Sequence, residues 1–425
     1  MVLNYIWISF FVLGFLAALY QWIVGGDGNI FPQMVSATFD SSKTAFEISL
    51  GLTGILSLWS GLMKVGEQGG MTNVMARLFG PFFRRLFPEI PRDHPAMGSI
   101  VMNFSANMLG LDNAATPLGL KAMNQMQELN PNKDTASNAQ IMFLTLNASG
   151  LTILPVTIMM YRIQLGAADP SDIFIPILLA TSASTFAGLI AVCIWQKIKL
   201  FDKVIMAYLL GFLALEVLLV WQFSQMDKES ISRISSVAAN FIIFGVIISF
   251  IVMAMVKKVN VYESFVEGAK EGFSTAIKII PYMVAMLVAI GVFRASGALT
   301  FLTDGLSAMF AALGCNTDFI PAIPTALMKP LSGSGARGMM IDCMTSCGVD
   351  SFAGRLSCTM QGAADTTFYI IALYFGSVGI KNTRYAISAG LIAEFAGILA
   401  SIATIYGIIL IAVVKPSFAP STKVS

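Results

Sequence analysis

Two apolar segments of this chain carry polar residues where a membrane helix would carry none. NMLGLDNAATPLGLKAM, residues 107–123, places Asp112, Asn113 and Thr116 beside the helix-breaking Pro117. ALMKPLSGSGARGMMIDCM, residues 326–344, holds Ser332, Ser334 and Arg337 in a glycine-rich break, with Lys329 and Asp342 on its flanks. Two further interruptions are TLNASGLT (145–152), with Asn147, Ser149 and Thr152, and TMQGAADT (359–366), with Gln361, Asp365 and Thr366, followed by Thr367. Carboxylates, amides, hydroxyls and one guanidinium suit the binding of a small polar solute. Arg337 fits an anionic group, and Asp112 or Asp365 fits a driving cation. Asp112 and Arg337 are expected to meet near the membrane midplane, with a structural ion pair between two hairpins as the plainer alternative. No nucleophile–base pair or metal cluster is visible, so catalytic residues, metal ligands, bound cofactor and enzymatic activity are not expected. A coupling ion, Na+ or H+, is the only auxiliary species this pattern suggests.

These residues must be held by helices in a bilayer. Hydrophobic residues make up 56% of the 425 and charged ones only 12%, against about 25% charged in a soluble domain. Apolar runs of the roughly 20 residues needed to cross a membrane fall near 5–24, 44–63, 139–161, 173–195, 203–223, 236–256, 275–293, 359–379 and 385–413. The chain therefore reads as an all-α, polytopic, multi-pass membrane protein. A net charge of +2 with no basic arm gives no reason to expect nucleic acid. The expected partners are a small-molecule substrate and the lipid bilayer, with self-association into a homo-oligomer left open.

The opening MVLNYIWISF lacks a basic leader, and no small-x-small cleavage pattern follows at Gly25-Gly26-Asp27, so the first span is expected to be retained. Four of the five cysteines, Cys315, Cys343, Cys347 and Cys358, lie on or beside apolar segments of the second half, where packing is their plain role. Glu216 and Glu394 sit within spans and suit either proton sites or interhelical hydrogen bonds. His94 in PRDHP reads as a loop residue, and the 25 methionines as mostly packing. Residues 71–87, with Arg77, Arg84 and Arg85 among Met, Leu and Phe, read as an amphipathic helix on the membrane surface. The less basic 298–313 is its counterpart.

Basic residues set the orientation. They gather in 64–96 (Lys64, Arg77, Arg84, Arg85, Arg92), in QKIKLFDK (196–203), at Lys257, Lys258 and Lys270, and at Lys381 and Arg384. All of these fall on one side only if 97–123 enters the membrane and turns back, with its tip at 110–114. The loops around Arg84 and Lys199 are then cytoplasmic and those around Asp169 and Asp227 external, with the N-terminus inside and the C-terminal tail outside.

The second half repeats this plan. Segment 326–344 matches 97–123 in place, TMQGAADT matches TLNASGLT, and Gly291 to Arg294 matches Gly61 to Lys64. The units run 44–195 and 262–413 and point opposite ways, because 44–63 runs toward the basic side and 275–293 away from it. Two inverted-topology repeats, each with a re-entrant helical hairpin and broken helices, are the construction of secondary transporters, whose sites lie near the midplane. Irregular backbone at that depth needs protein or a watery cavity around it. A charge there costs about 2.5–3.5 kcal/mol on insertion scales, so it marks a function or a partner.

At the two hairpins the sequence also resembles a known family. LGLDNAATPLGLKAM is similar to the signature of bacterial spore maturation protein A, and KPLSGSGARGMM to that of spore maturation protein B. The chain thus resembles a fusion of the two, both members of the nucleoside-recognition or Gate-domain superfamily. The resemblance implies an A-like repeat over 1–200, linking transmembrane helices over 201–261 and a B-like repeat over 262–425. It implies the bacterial cytoplasmic (inner) membrane and, in spore formers, a link to spore-core maturation. More distant Gate relatives are concentrative nucleoside transporters and the membrane part of a ferrous-iron transporter, but no GxxxxGK[ST] phosphate loop occurs here. The expected function is a secondary transporter or exporter of a small polar, anionic or zwitterionic, metabolite. The alternatives are a metal-ion permease using Cys343, Cys347 and Cys358, and a non-transporting membrane scaffold.

Overall fold

A computed structural model describes residues 2–91, 93–108, 112–224 and 228–414, with side chains except at 2–3, 112–114, 219–220, 223–236, 238–239 and 408–414. The described residues form helices and no strand. In chain order these are α1 (Val2–Ile23), α2 (Ile30–Gly69), α3 (Met71–Leu86), α4 (Pro95–Met108), α5 (Asp112–Leu129), α6 (Asn138–Ser149), α7 (Val156–Gln164) and α8 (Phe174–Gln196). There follow α9 (Lys203–Ser224), α10 (Lys228–Val256), α11 (Val261–Ala295), α12 (Ala298–Ala312), a short 3-10 turn Ile320–Ala322, α13 (Ile323–Met328), α14 (Gly333–Cys347), α15 (Phe352–Gly362), α16 (Thr367–Ser377) and α17 (Ala386–Val414). Five described helices are long and apolar enough to cross a membrane: Asn4–Ile23, Ile30–Gly69, Phe174–Gln196, Val261–Ala295 and Ala386–Gly407. The protein is an all-α polytopic membrane protein.

The two longest helices, α2 and α11, pack antiparallel. Gly61 lies against Phe265, whereas Gly291 lies against Ser41 and Ala37. A Cβ at Gly268 would collide with the Ser60 carbonyl and one at Gly272 with that of Leu56. Small residues are what allow two helix backbones to come this close where no hydrophobic force drives them together. Helix α2 starts at Ile30, well before the expected span at 44. Its extra turns carry exposed Asp40 and Lys43 and half-buried Ser42, while Ser41 packs on Gly291, so the polar residues are helical rather than a loop.

Segment 97–123 forms two helices, α4 and α5, folded back on each other: the Asn103 amide donates to the Ala115 carbonyl at 2.8 Å. Of its expected tip, 110–114, residues 110–111 and the side chains of 112–114 lie outside the described residues. The expected surface helix 71–87 is α3, but its apolar side faces protein. Phe83 meets Phe104 with ring centroids 4.8 Å apart, and Phe82, Phe83 and Leu86 are buried, leaving Arg77, Arg84 and Arg85 exposed.

The expected spans 139–161 and 359–379 are both interrupted. Gly150 ends α6 in the left-handed region at φ 56°, and α7 begins only after Pro155. Residues 363–366 separate α15 from α16. Each break frees the last carbonyls of one half-helix and the first N–H groups of the next.

Candidate functional site

The two breaks lie against each other. The Asp365 N–H donates to the Ala148 carbonyl at 2.7 Å, so an unwound residue of the second half satisfies a helix-end acceptor of the first. Ile153, within the other break, donates to the Met108 carbonyl at 3.0 Å, and Phe368 to the Pro330 carbonyl at 3.2 Å. Each break is thus tied to the end of a neighbouring helix, and the fixed geometry comes from backbone bonds.

Around this junction lies a cavity of about 410 Å3. Its polar wall includes Asn107, Thr116, Asn147, Thr152, Arg337, Gln361 and Asp365, and its aromatic wall Tyr161, Tyr369 and Tyr374. Six of the sequence-derived candidates therefore converge: Thr116, Asn147, Thr152, Arg337, Gln361 and Asp365. The Asn107 amide donates to Asn147 Oδ1 at 2.9 Å, and the Tyr374 hydroxyl reaches the same oxygen at 3.4 Å. The Asn147 amide in turn donates to the Phe143 carbonyl of its own helix at 2.9 Å. Asn147 is thereby locked in orientation.

Arg337 stands on α14 with its guanidinium carbon 5.8 Å from the centre of the Tyr161 ring. A guanidinium placed over an aromatic face is held there by the ring's negative face. Asp365 is exposed toward the cavity, and its Oδ1 accepts the Thr366 N–H at 2.7 Å. Guanidinium and carboxylate line one chamber.

Four expected site residues lie outside the cavity lining. Ser332 caps α14, accepting the Gly335 N–H at 3.0 Å, and the Ser334 hydroxyl is 3.2 Å from that of Ser332. The Ser149 hydroxyl donates to the Leu146 carbonyl at 3.1 Å, and Thr366 is buried against Gly333. The side chains of Asp112 and Asn113 lie outside the described residues. Asp342, expected beside the second tip, is paired with Arg294, whose Nε donates to Oδ1 at 2.8 Å. Cys358 points at the Met344 sulfur at 3.3 Å and Cys343 at the Ala353 carbonyl at 3.5 Å. Among the described residues no three His, Cys, Asp or Glu side chains are grouped as metal ligands.

The sequence reading missed the clamps at the two ends of the broken helices. Arg162, fully buried at the end of α7, donates to the Val349 carbonyl at 2.9 Å and to Asp350 at 3.0 Å, and lies 2.9 Å from Asp172. Arg355 reaches the other Asp172 oxygen at 2.7 Å. Loop 165–173 of the first half is thus bound to loop 348–351 of the second. At the opposite end, Lys381 and Asn382 donate backbone N–H groups to the Asp134 carbonyl at 2.8 and 2.9 Å. Arg384 completes that clamp, donating to the Ala136 carbonyl at 3.0 Å. Only long-range partners reveal Arg162, and no local pattern announces it.

Comparison with known proteins places two copies of one family on this framework. The model of the Gate family, described as nucleoside recognition, matches residues 49–164 and 276–381. Spore maturation protein A of Bacillus subtilis (strain 168) is 42% identical over 189 residues, covering 44% of this chain and 93% of that protein. Spore maturation protein B of the same organism is 48% identical over 175 residues, covering 41% of this chain and 90% of that protein.

Proposed function

The chain belongs to the Gate, or nucleoside-recognition, family, and from that premise we propose that it is a secondary transporter or exporter of a small anionic or zwitterionic solute in the bacterial cytoplasmic membrane. One observation carries the reading: two broken helices meet at Ala148 and Asp365 beside a polar chamber that presents both Arg337 and Asp365. In this reading Arg337 takes the anionic group of the solute. Asp365 takes its ammonium group or an accompanying cation, and Asn107, Asn147, Thr116 and Gln361 supply hydrogen bonds. No bond is made or broken in the solute.

The helix order supports a repeat. A long helix, a shorter one, a helical pair and a broken helix occur in α2 to α7 and again in α11 to α16, and the two long helices are antiparallel. Antiparallel counterparts are what an inverted repeat requires. Helix α4 has 14 residues and is about 21 Å long at 1.5 Å per residue, short of a roughly 30 Å hydrocarbon core. That length supports re-entry in place of crossing. The clamps at Arg162 and Asp134 close the two ends in this state, and alternating access opens them one at a time.

Counterflow in proteoliposomes tests the reading, with amino acids, small carboxylates, nucleosides and ferrous iron as separate probes. Carriage of a carboxylate-bearing solute that R337K impairs supports it. Carriage of uncharged nucleosides or of iron, indifferent to R337K, overturns it.

A further inference from the structure

The break between α15 and α16 holds two buried charges that do not pair with each other. Lys329, after α13, is 5% exposed, and its ammonium donates to the Gln361 carbonyl at 2.7 Å. Glu394, on α17, is 2% exposed, and its Oε1 accepts the Thr367 N–H at 2.8 Å. Neither residue is in an ion pair among the described residues. The ammonium sits at the C-terminal end of α15 and the carboxylate at the N-terminal end of α16, where each helix dipole favours that sign. Helix ends therefore hold both charges.

Unsatisfied polar groups gather at the same place. Glu394 Oε2, Gln361 Oε1, Thr366 Oγ1 and Thr367 Oγ1 are all buried without a hydrogen-bond partner among the described residues. Buried polar groups without partners are costly and call for an explanation. The two threonine hydroxyls carry protons of their own, whereas Glu394 Oε2 and Gln361 Oε1 can only accept; one further proton on the carboxyl would make Glu394 a donor as well and remove a buried charge. A metal cation would share the site with the Lys329 ammonium, which argues for the proton.

We propose that Glu394 is an exchangeable proton site whose protonation state sets the geometry of the α15–α16 break. The proton arrives from water in the adjoining chamber and bonds to the carboxylate. The neutral acid then holds the Thr367 N–H more weakly, because the charge that faced the start of α16 is gone. The residue displaced by that loosening is Asp365, two positions earlier and on the chamber wall. Two charged groups act on Glu394 from the elements around it, Lys329 after α13 and Asp365 in the break, while Arg337 on α14 acts on Lys329. Helices α6 and α8 meet α17 through uncharged Thr145, Gly188 and Ser184. Arg355 on α15 is engaged with Asp172, and residues 237–256 of α10 carry no charge. For its link to solute movement this inference rests on the transport reading, and for the proton site itself it does not.

Infrared difference spectroscopy on the purified full chain, titrated with pH, reads protonated carboxyl groups without any transported solute. The expected result is a carboxyl C=O band that titrates in the unmodified protein and is lost in E394Q, which keeps an acceptor for the Thr367 N–H. K329M should retain the band and move its midpoint. Should E394Q fail to fold, E394D must shift the band in frequency. An identical titration in the unmodified protein and the folded Glu394 variant overturns the proposal. So does a band displaced by sodium and indifferent to choline at equal ionic strength, which would make the ligand a metal cation. Failure here leaves the solute chamber standing, whereas failure of solute counterflow leaves the titration intact.

Discussion

The N–H of Asp365 donates to the carbonyl of Ala148 at 2.7 Å, joining the unwound segment of one half to the end of a helix in the other. Gly150 lies against this bond at φ 56°, and a Cβ there would stand 3.1 Å from the Asp365 nitrogen. Gly150→Ala is expected to destabilise by about 1–2 kcal/mol from the left-handed backbone alone, with transport lost more than stability. Thermal unfolding beside counterflow measures the two effects. An unchanged protein would show the junction to be loose.

Arg337→Lys tests the guanidinium itself. Lysine keeps the charge but loses the planar fork and the stacking on Tyr161. Solute affinity is expected to fall roughly tenfold or more, since each 1.4 kcal/mol is a factor of ten, while the melting temperature stays near that of the unmodified protein. Binding by calorimetry and melting by differential scanning separate these outcomes.

Arg162→Ala should weaken the fold. Removing one partner of a buried ion pair costs about 3–5 kcal/mol, and the lower end applies because the Asp350 side chain is 34% exposed and partly screened. The same change should favour opening at that end, seen as faster proteolysis of loops 165–173 and 348–351. A variant that melts normally and resists protease would remove the clamp.

Cys343, Cys347 and Cys358 replaced together by Ser should leave solute counterflow intact with at most a modest loss of stability. Loss of carriage of one metal ion in that variant would favour the permease alternative instead.

Much of this arrangement is legible in the sequence because breaks in apolar helices are written locally. Gly150 with Pro155, and the GAAD run ending at Asp365, interrupt apolar periods sharply. The converging residues Asn147, Thr152, Gln361 and Asp365 follow from those two breaks, and Thr116 and Arg337 from the two polar hairpin segments. Sequence does not separate a hydroxyl that caps a helix from one that faces a ligand, and so Ser332 and Ser334 look alike with Arg337 until the backbone is known. Asn107 and Tyr374 are ordinary members of helical runs, and only their shared contact with Asn147 brings them to the chamber. Arg162 finds Asp350 across 188 positions, a relation no window of sequence contains. The start of α2 was hidden for a different reason: Asp40, Ser42 and Lys43 have loop-like polarity, but a helix that extends past the core keeps such polar residues exposed or half-buried.

The central claim is that the chamber between the broken helices opens to each face of the membrane in turn. Thr152 lines that chamber and is half-buried, so Thr152→Cys in a chain whose five native cysteines are Ser reports its access. Membrane-impermeant thiol reagent is applied to right-side-out and inside-out vesicles separately. The account predicts labelling from both faces, slowed from each by a bound solute. Labelling from one face only, or from neither, would contradict it.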